Sequence, residues 1–303
     1  MRVSSSSVGA RIARVVGVLL VFVVVVSGFV YGASERRLRR TYDTSVDSLV
    51  VPSDSMSIAR GRHLVHAVVN CELCHGSDLG GAVYSSSAAL GTVAGPNLTR
   101  GKGGLPATYT TMDYLRAIRR GVRQDGRSLI VMPSEVFTHL SQEDLGAVVA
   151  FLQRLPAVDR EVPRSRFGPV GRALLAAGKL NILVAPKTPR FSAPISVPQD
   201  TTPAYGKYLA DISGCHGCHG FGLSGGAVAG PPGLPPASNL TPAGLGNWQE
   251  ADFVRALREG RRPDGTTLNE FMPWKVFRGM TDAELHALWR YLGSVPAKPF
   301  GNK

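Results

Sequence analysis

The chain has 303 residues, with 34 Lys and Arg against 22 Asp and Glu, 44% apolar side chains and 18% charged ones. That composition excludes a disordered chain, and the length supplies real cores without a disulfide scaffold. The apolar content is too dispersed for a polytopic membrane protein, and the net charge of +12 raises the question of an acidic partner such as nucleic acid.

Arg2, Arg11 and Arg14 precede an uncharged, valine-rich run over 15–34. A spanning helix needs about 20 apolar residues and a signal h-region only about 7–15, so the length favours an uncleaved anchor over a cleaved signal. No A-x-A site follows the run; Val30-Tyr31-Gly32 is a poor substitute. Arg36, Arg37, Arg39 and Arg40 follow the run, so the positive-inside rule is nearly balanced. Residues 1–40 read as a membrane anchor or signal segment and 41–55 as a polar linker.

The remainder repeats itself. Gly61 pairs with Gly206, and Cys71-Glu72-Leu73-Cys74-His75-Gly76 with Cys215-His216-Gly217-Cys218-His219-Gly220. Asn97-Leu98-Thr99 pairs with Asn239-Leu240-Thr241, Met132-Pro133 with Met272-Pro273, and Phe151 with Tyr291. The modules span 56–157 and 201–303. In each, a helix (56–70, 203–214) leads into the cysteine motif and a Gly/Ala/Pro-rich loop follows. A second helix runs from Asp113 or Asp252 to Gly121 or Gly260. A last helix starts at Ser141 or Thr281, each with an acid three places on, as in a capping box. Between the modules, 158–200 is proline-rich and basic. An apolar helix over 170–185 would pack on a module or touch the membrane surface. Pro186, Pro189, Pro194 and Pro198 leave the rest an extended linker.

Both cysteine pairs read CxxCH, the attachment sequence for c-type haem. Cys71, Cys74, Cys215 and Cys218 are the expected covalent positions, with His75 and His219 reaching the iron. A shared zinc is awkward across two separate modules, a thioredoxin-like pair needs a βαβ setting, and a plain disulfide leaves the histidines unexplained. Two like sites need like ligands. Met112, Met280, His63, His66, His139 and His286 have no matching ligand in the other module. Met132 and Met272 match, so they are the expected sixth ligands.

Both modules resemble class I cytochrome c domains on these residues. The resemblance implies an all-α fold, two tandem class I cytochrome c domains after an N-terminal transmembrane helix, carrying two covalently bound haem c groups. It also implies a crossing of first and last helices at Gly61 with Phe151 and at Gly206 with Tyr291. Pro96 matches the family position whose carbonyl holds the haem histidine; the second module has Ser238 there. Asn97 and Asn239 are further candidates for the haem pocket, and Arg119 and Arg258 for its propionates or for a solvated helix face. His216, His139 and His286 read as surface residues.

The plan is similar to bacterial membrane-bound dihaem cytochromes and to cytochrome subunits of periplasmic dehydrogenases. It implies single-electron transfer between respiratory donor and acceptor proteins, dehydrogenase or oxidase components, with the haem domains in the periplasm. The alternatives are a subunit of a dehydrogenase complex or a dihaem enzyme of the peroxidase or thiosulfate dehydrogenase type. The charge fits no nucleic-acid role: residues 1–40 hold +6 and the linker 158–200 holds +4, against +3 in 56–157 and +2 in 201–303. A basic anchor and linker suit anionic lipid head groups.

Overall fold

The computed structural model describes residues 5–189, 195–228 and 233–301; Arg2 and Pro194 lie outside them. Helix α1 (Ser5–Leu38) has no internal proline and exposes its valines along its length, with Val18 68% and Val24 69% accessible. Its Gly9–Leu38 stretch is long and apolar enough to cross a membrane.

In the first module, α2 (Ser55–His63) starts where the Asp54 carboxylate accepts the Ser57 N–H. It runs on as a π-helical turn at Leu64–Val68. The turn has a sequence cause. Gly61 to Cys71 is one residue longer than Gly206 to Cys215, and an inserted residue is absorbed in a helix as a π-bulge. After α3 (Glu72–His75) the chain enters β1 (Ala82–Ser87) and β2 (Gly91–Gly95), then α4 (Thr111–Leu115) with a second π turn at Arg116–Arg120, α5 (Ser134–Phe137) and α6 (Gln142–Leu152).

The interdomain segment adds β3 (Arg166–Phe167) and α7 (Pro169–Ala176). The second module holds α8 (Pro203–Ile212), α9 (Cys215–His219), α10 (Pro242–Leu245), α11 (Glu250–Glu259), α12 (Trp274–Phe277) and α13 (Asp282–Ser294). The molecule is mostly helical, but not all-α. β1, β2 and β3 form an antiparallel sheet in that order, where a plain loop was expected.

The first and last helices of each module cross at a glycine. A Cβ on Gly61 would lie 1.9 Å from the Ala147 carbonyl oxygen, and one on Gly206 2.0 Å from that of Ala287 and 2.8 Å from Tyr291 Cβ. The crossing is thus at backbone contact, and it buries Leu64, Leu145, Leu209 and Leu285 completely.

The two linkers are not tethers. Before α2, the Tyr42 N–H donates to the Gly126 carbonyl and Arg116 to that of Thr44. After α6, the Val158 carbonyl accepts from Asn97, and Val184, fully buried, donates its N–H to the Leu129 carbonyl. The expected helix over 170–185 is shorter, ending before Gly178, whose φ of +71° is the left-handed terminator. It packs on α1: Arg172 reaches Ser34 and Glu35 and sits 4.1 Å over the Tyr31 ring. Among the described linker residues beyond α7, the prolines leave only a single 3-10 turn at Ala185–Lys187, but they do not prevent contact.

Candidate haem-binding sites

Each CxxCH sits on one helical turn entered through a left-handed residue, Asn70 (φ 53°) or Gly214 (φ 74°), and left through Gly76 or Gly220 (φ 79° in both). The turn gathers two sulfurs and an imidazole at one mouth. Burial pushes the Cys71 and Cys215 thiols up to about 12, with Cys74 and Cys218 beside them adding to it. Each histidine is held from behind. His75 Nδ1 lies 2.8 Å from the Pro96 carbonyl oxygen and His219 Nδ1 2.8 Å from that of Ser238. A carbonyl only accepts, so Nδ1 carries the proton and Nε2 keeps its lone pair for a metal. Burial also lowers the His75 basicity, favouring the neutral ring. Since the backbone supplies the acceptor, Ser238 replaces proline at no loss.

Asn97 and Asn239 stand one step behind. Asn97 Oδ1 accepts from the Thr99 N–H and hydroxyl, and Nδ2 donates to the Val158 carbonyl; Asn239 repeats this with Thr241 and Lys298. They pin the turn whose carbonyl holds the histidine.

The methionine loops share one device. The Ser134 N–H donates to the Met132 carbonyl and the Trp274 N–H to that of Met272, across Pro133 (φ −83°, ψ 56°) and Pro273 (φ −78°, ψ 46°). These are inverse γ-turns with proline at the centre, whose fixed φ suits them.

In the second module Cys215, Cys218, His219 and Met272 line one cavity, walled by Leu240, Trp248, Phe253, Leu257 and Leu268. Arg262 lines it and Arg258 does not. Arg119 donates to the Thr138 carbonyl and Arg258 to that of Arg278, so both secure the turn after α5 or α12.

The residues fit haem c. Thioether-forming cysteines, one imidazole and one thioether sulfur converge on an apolar wall, as a planar macrocycle with two axial ligands requires. Five buried side-chain polar atoms also have no partner among the described residues, and one of them, the Tyr114 hydroxyl, sits at the position matching cavity-lining Phe253. Such a group calls for a polar ligand edge. No cluster of three or more His, Cys, Asp or Glu among the described residues is placed to hold a bare metal ion.

Residues 203–296 match the family described as "Cytochrome c", and residues 57–152 match "Cytochrome C oxidase, cbb3-type, subunit III". The chain is a c-type cytochrome. It is 28% identical over 284 residues to the cytochrome c subunit of a quinone alcohol dehydrogenase of Gluconobacter oxydans (strain 621H), covering 82% of this chain and 57% of that one. It is 28% identical over 264 residues to a fructose dehydrogenase cytochrome subunit of Gluconobacter japonicus, covering 80% and 53%. A gluconate 2-dehydrogenase cytochrome c subunit of Pantoea cypripedii is likewise 28% identical, covering 80% and 60%. This cytochrome thus spans only somewhat more than half the length of these relatives.

Three histidines differ from expectation. His216 is half-buried, bonded to Asp211 and stacked on Phe221. His286 is paired with Glu250, and His139, also half-buried, feels the Asp211 charge. Sequence reasoning also passed over Tyr84 on β1. Its phenol is raised by burial and by the nearness of Cys74 and Cys218, one sulfur from each module.

Proposed function

We propose that this cytochrome carries two covalent haem c groups, one per module, and passes single electrons between redox proteins at the periplasmic face of a bacterial membrane. Cys71, Cys74 and Cys215, Cys218 hold them, with His75, Met132 and His219, Met272 as axial ligands. The modules are 56–157 and 201–303, and α1 is a single-pass anchor. The observation that carries this reading is the duplicated scaffold: imidazole on a carbonyl, asparagine behind it, methionine on a γ-turn. When bound, haem c supplies a one-electron couple whose potential a methionine ligand raises relative to a second histidine.

The chain's own residues do the rest. Pro96 and Ser238 orient the imidazoles, the γ-turns present the sulfurs, and the apolar walls exclude water. With His75 and Met132, or His219 and Met272, holding the iron, neither module would keep the open site that a dihaem enzyme needs. A second reading, the cytochrome subunit of a dehydrogenase complex, is favoured by the printed names of the relatives.

Ferric spectra test the assignment. The whole chain should show low-spin haem and a methionine–iron charge-transfer band. Met272→Leu and Met132→Leu should each remove one of two contributions to that band while both haems stay attached. A high-spin haem in the unsubstituted chain would overturn the carrier reading in favour of an enzyme.

A further inference from the structure

The two modules meet along a seam with approximate two-fold symmetry. The π turn at Leu64–Val68, just before Cys71, packs on α12, just after Met272 and Pro273. In return α8, just before Cys215, packs on α5, just after Met132 and Pro133. Two close approaches mark the two halves: a Cβ on Gly279 would lie 3.0 Å from Ala67 Cβ, and one on Gly214 3.6 Å from Val136. The short helix after each methionine loop thus abuts the segment leading into the other module's cysteine motif.

At the centre lie the N-terminal carboxylates of the last helices, Asp144 and Glu284, with side chains 8% and 4% accessible. Arg60 of the first module bonds Asp144 through Nε and Nη2 (2.9 and 3.0 Å) and Glu284 of the second through Nη1 (3.1 Å). His63 reaches Glu284 at 2.7 Å. The matching positions of the second module are Tyr205 and Tyr208. Tyr208 completes the cap of α6 from across the seam: the Ser141 N–H donates to its oxygen (3.1 Å), and its hydroxyl donates to Asp144 Oδ2 (2.7 Å). In α13 the Glu284 carboxylate does this itself, accepting the Thr281 N–H. Removing Arg60 leaves two buried carboxylates facing each other across the seam, each short of a partner.

We propose that Arg60 is a positioning residue for electron transfer between the modules: by tying Asp144 to Glu284 it holds the two cysteine motifs at one fixed separation. This rests on the dihaem reading above. The seam sits between the two motifs, so opening it changes the path between the sites without touching a ligand.

The test uses the full haem-loaded chain and Arg60→Met, with Arg60→Lys as the conservative control. Two quantities are read: hydrogen-exchange protection of the Ser141 amide, whose partner is Tyr208, and electron exchange between the haems after flash reduction. For Arg60→Met we expect Ser141 protection to fall by about 100-fold or more and the fast phase of exchange to be lost. Each haem's spectrum and midpoint potential should be unchanged, and Arg60→Lys should restore the fast phase. Unchanged protection with the fast phase intact overturns the proposal, and so does lost protection with an intact fast phase, which makes the seam a mere joint. Should Arg60→Met not fold, Tyr208→Phe removes only the shared hydroxyl and is read in the same way. Fewer than two haems in the unsubstituted chain sinks the dihaem reading instead, while Ser141 protection still reports on the seam.

Discussion

A single carboxylate at the seam shows how local chemistry sets a global property. Burial alone would raise the Glu284 carboxyl, but the His63 contact, the Thr281 N–H and the Arg60 charge overcome it and hold it down to about 2, from an ordinary 4.5. The folded state therefore keeps this group ionised where the unfolded chain has taken up a proton. The stability it contributes is complete above pH 4.5 and is lost as the pH falls from there toward 2. The gap corresponds to roughly 3 kcal/mol. Denaturant midpoints measured across that window should fall steeply for the unsubstituted chain and much less for Glu284→Gln; parallel slopes would refute the assignment. The seam was illegible in the sequence for a definite reason. Matching identical residues between modules finds the proposed haem ligands, whereas Arg60 and His63 stand opposite Tyr205 and Tyr208. Function here lies in the difference, and a search for sameness passes over it.

At the scale of elements, the crossing glycines make the sharpest prediction. Gly206→Ala places a methyl against the Ala287 carbonyl and Tyr291, both fixed in α13. It should cost about 3 kcal/mol by overpacking, read as a lowered denaturant midpoint of the second module. Gly217→Ala meets nothing within 4 Å and should be nearly neutral; equal effects would show that the crossing is not tight. Helix positions and caps were legible because periodicity and capping residues are local signals, and the crossings were legible through the family resemblance. The β1–β2 hairpin was not, since a stretch of serines, alanines and glycines between Ala82 and Gly95 shows no alternation. Nor was the clasp of 158–184 on the first module, many of whose bonds end on backbone groups that no side-chain pattern announces.

For the molecule as a whole, charge and architecture agree. The basic excess lies in residues 1–40 and the interdomain linker, and α7 of that linker is fastened to the end of α1 through Arg172. The first module is thereby tied to the apolar helix by more than a peptide link. All of this presupposes the cofactor. Its most direct test is the intact mass of the chain purified from membranes, together with a haem stain after denaturation. The expected result is a full-length chain carrying two covalent haems, one lost when Cys71 and Cys74 are both changed to serine and the other when Cys215 and Cys218 are. A chain with no covalent haem, or one whose haem survives both pairs of substitutions, would contradict the account.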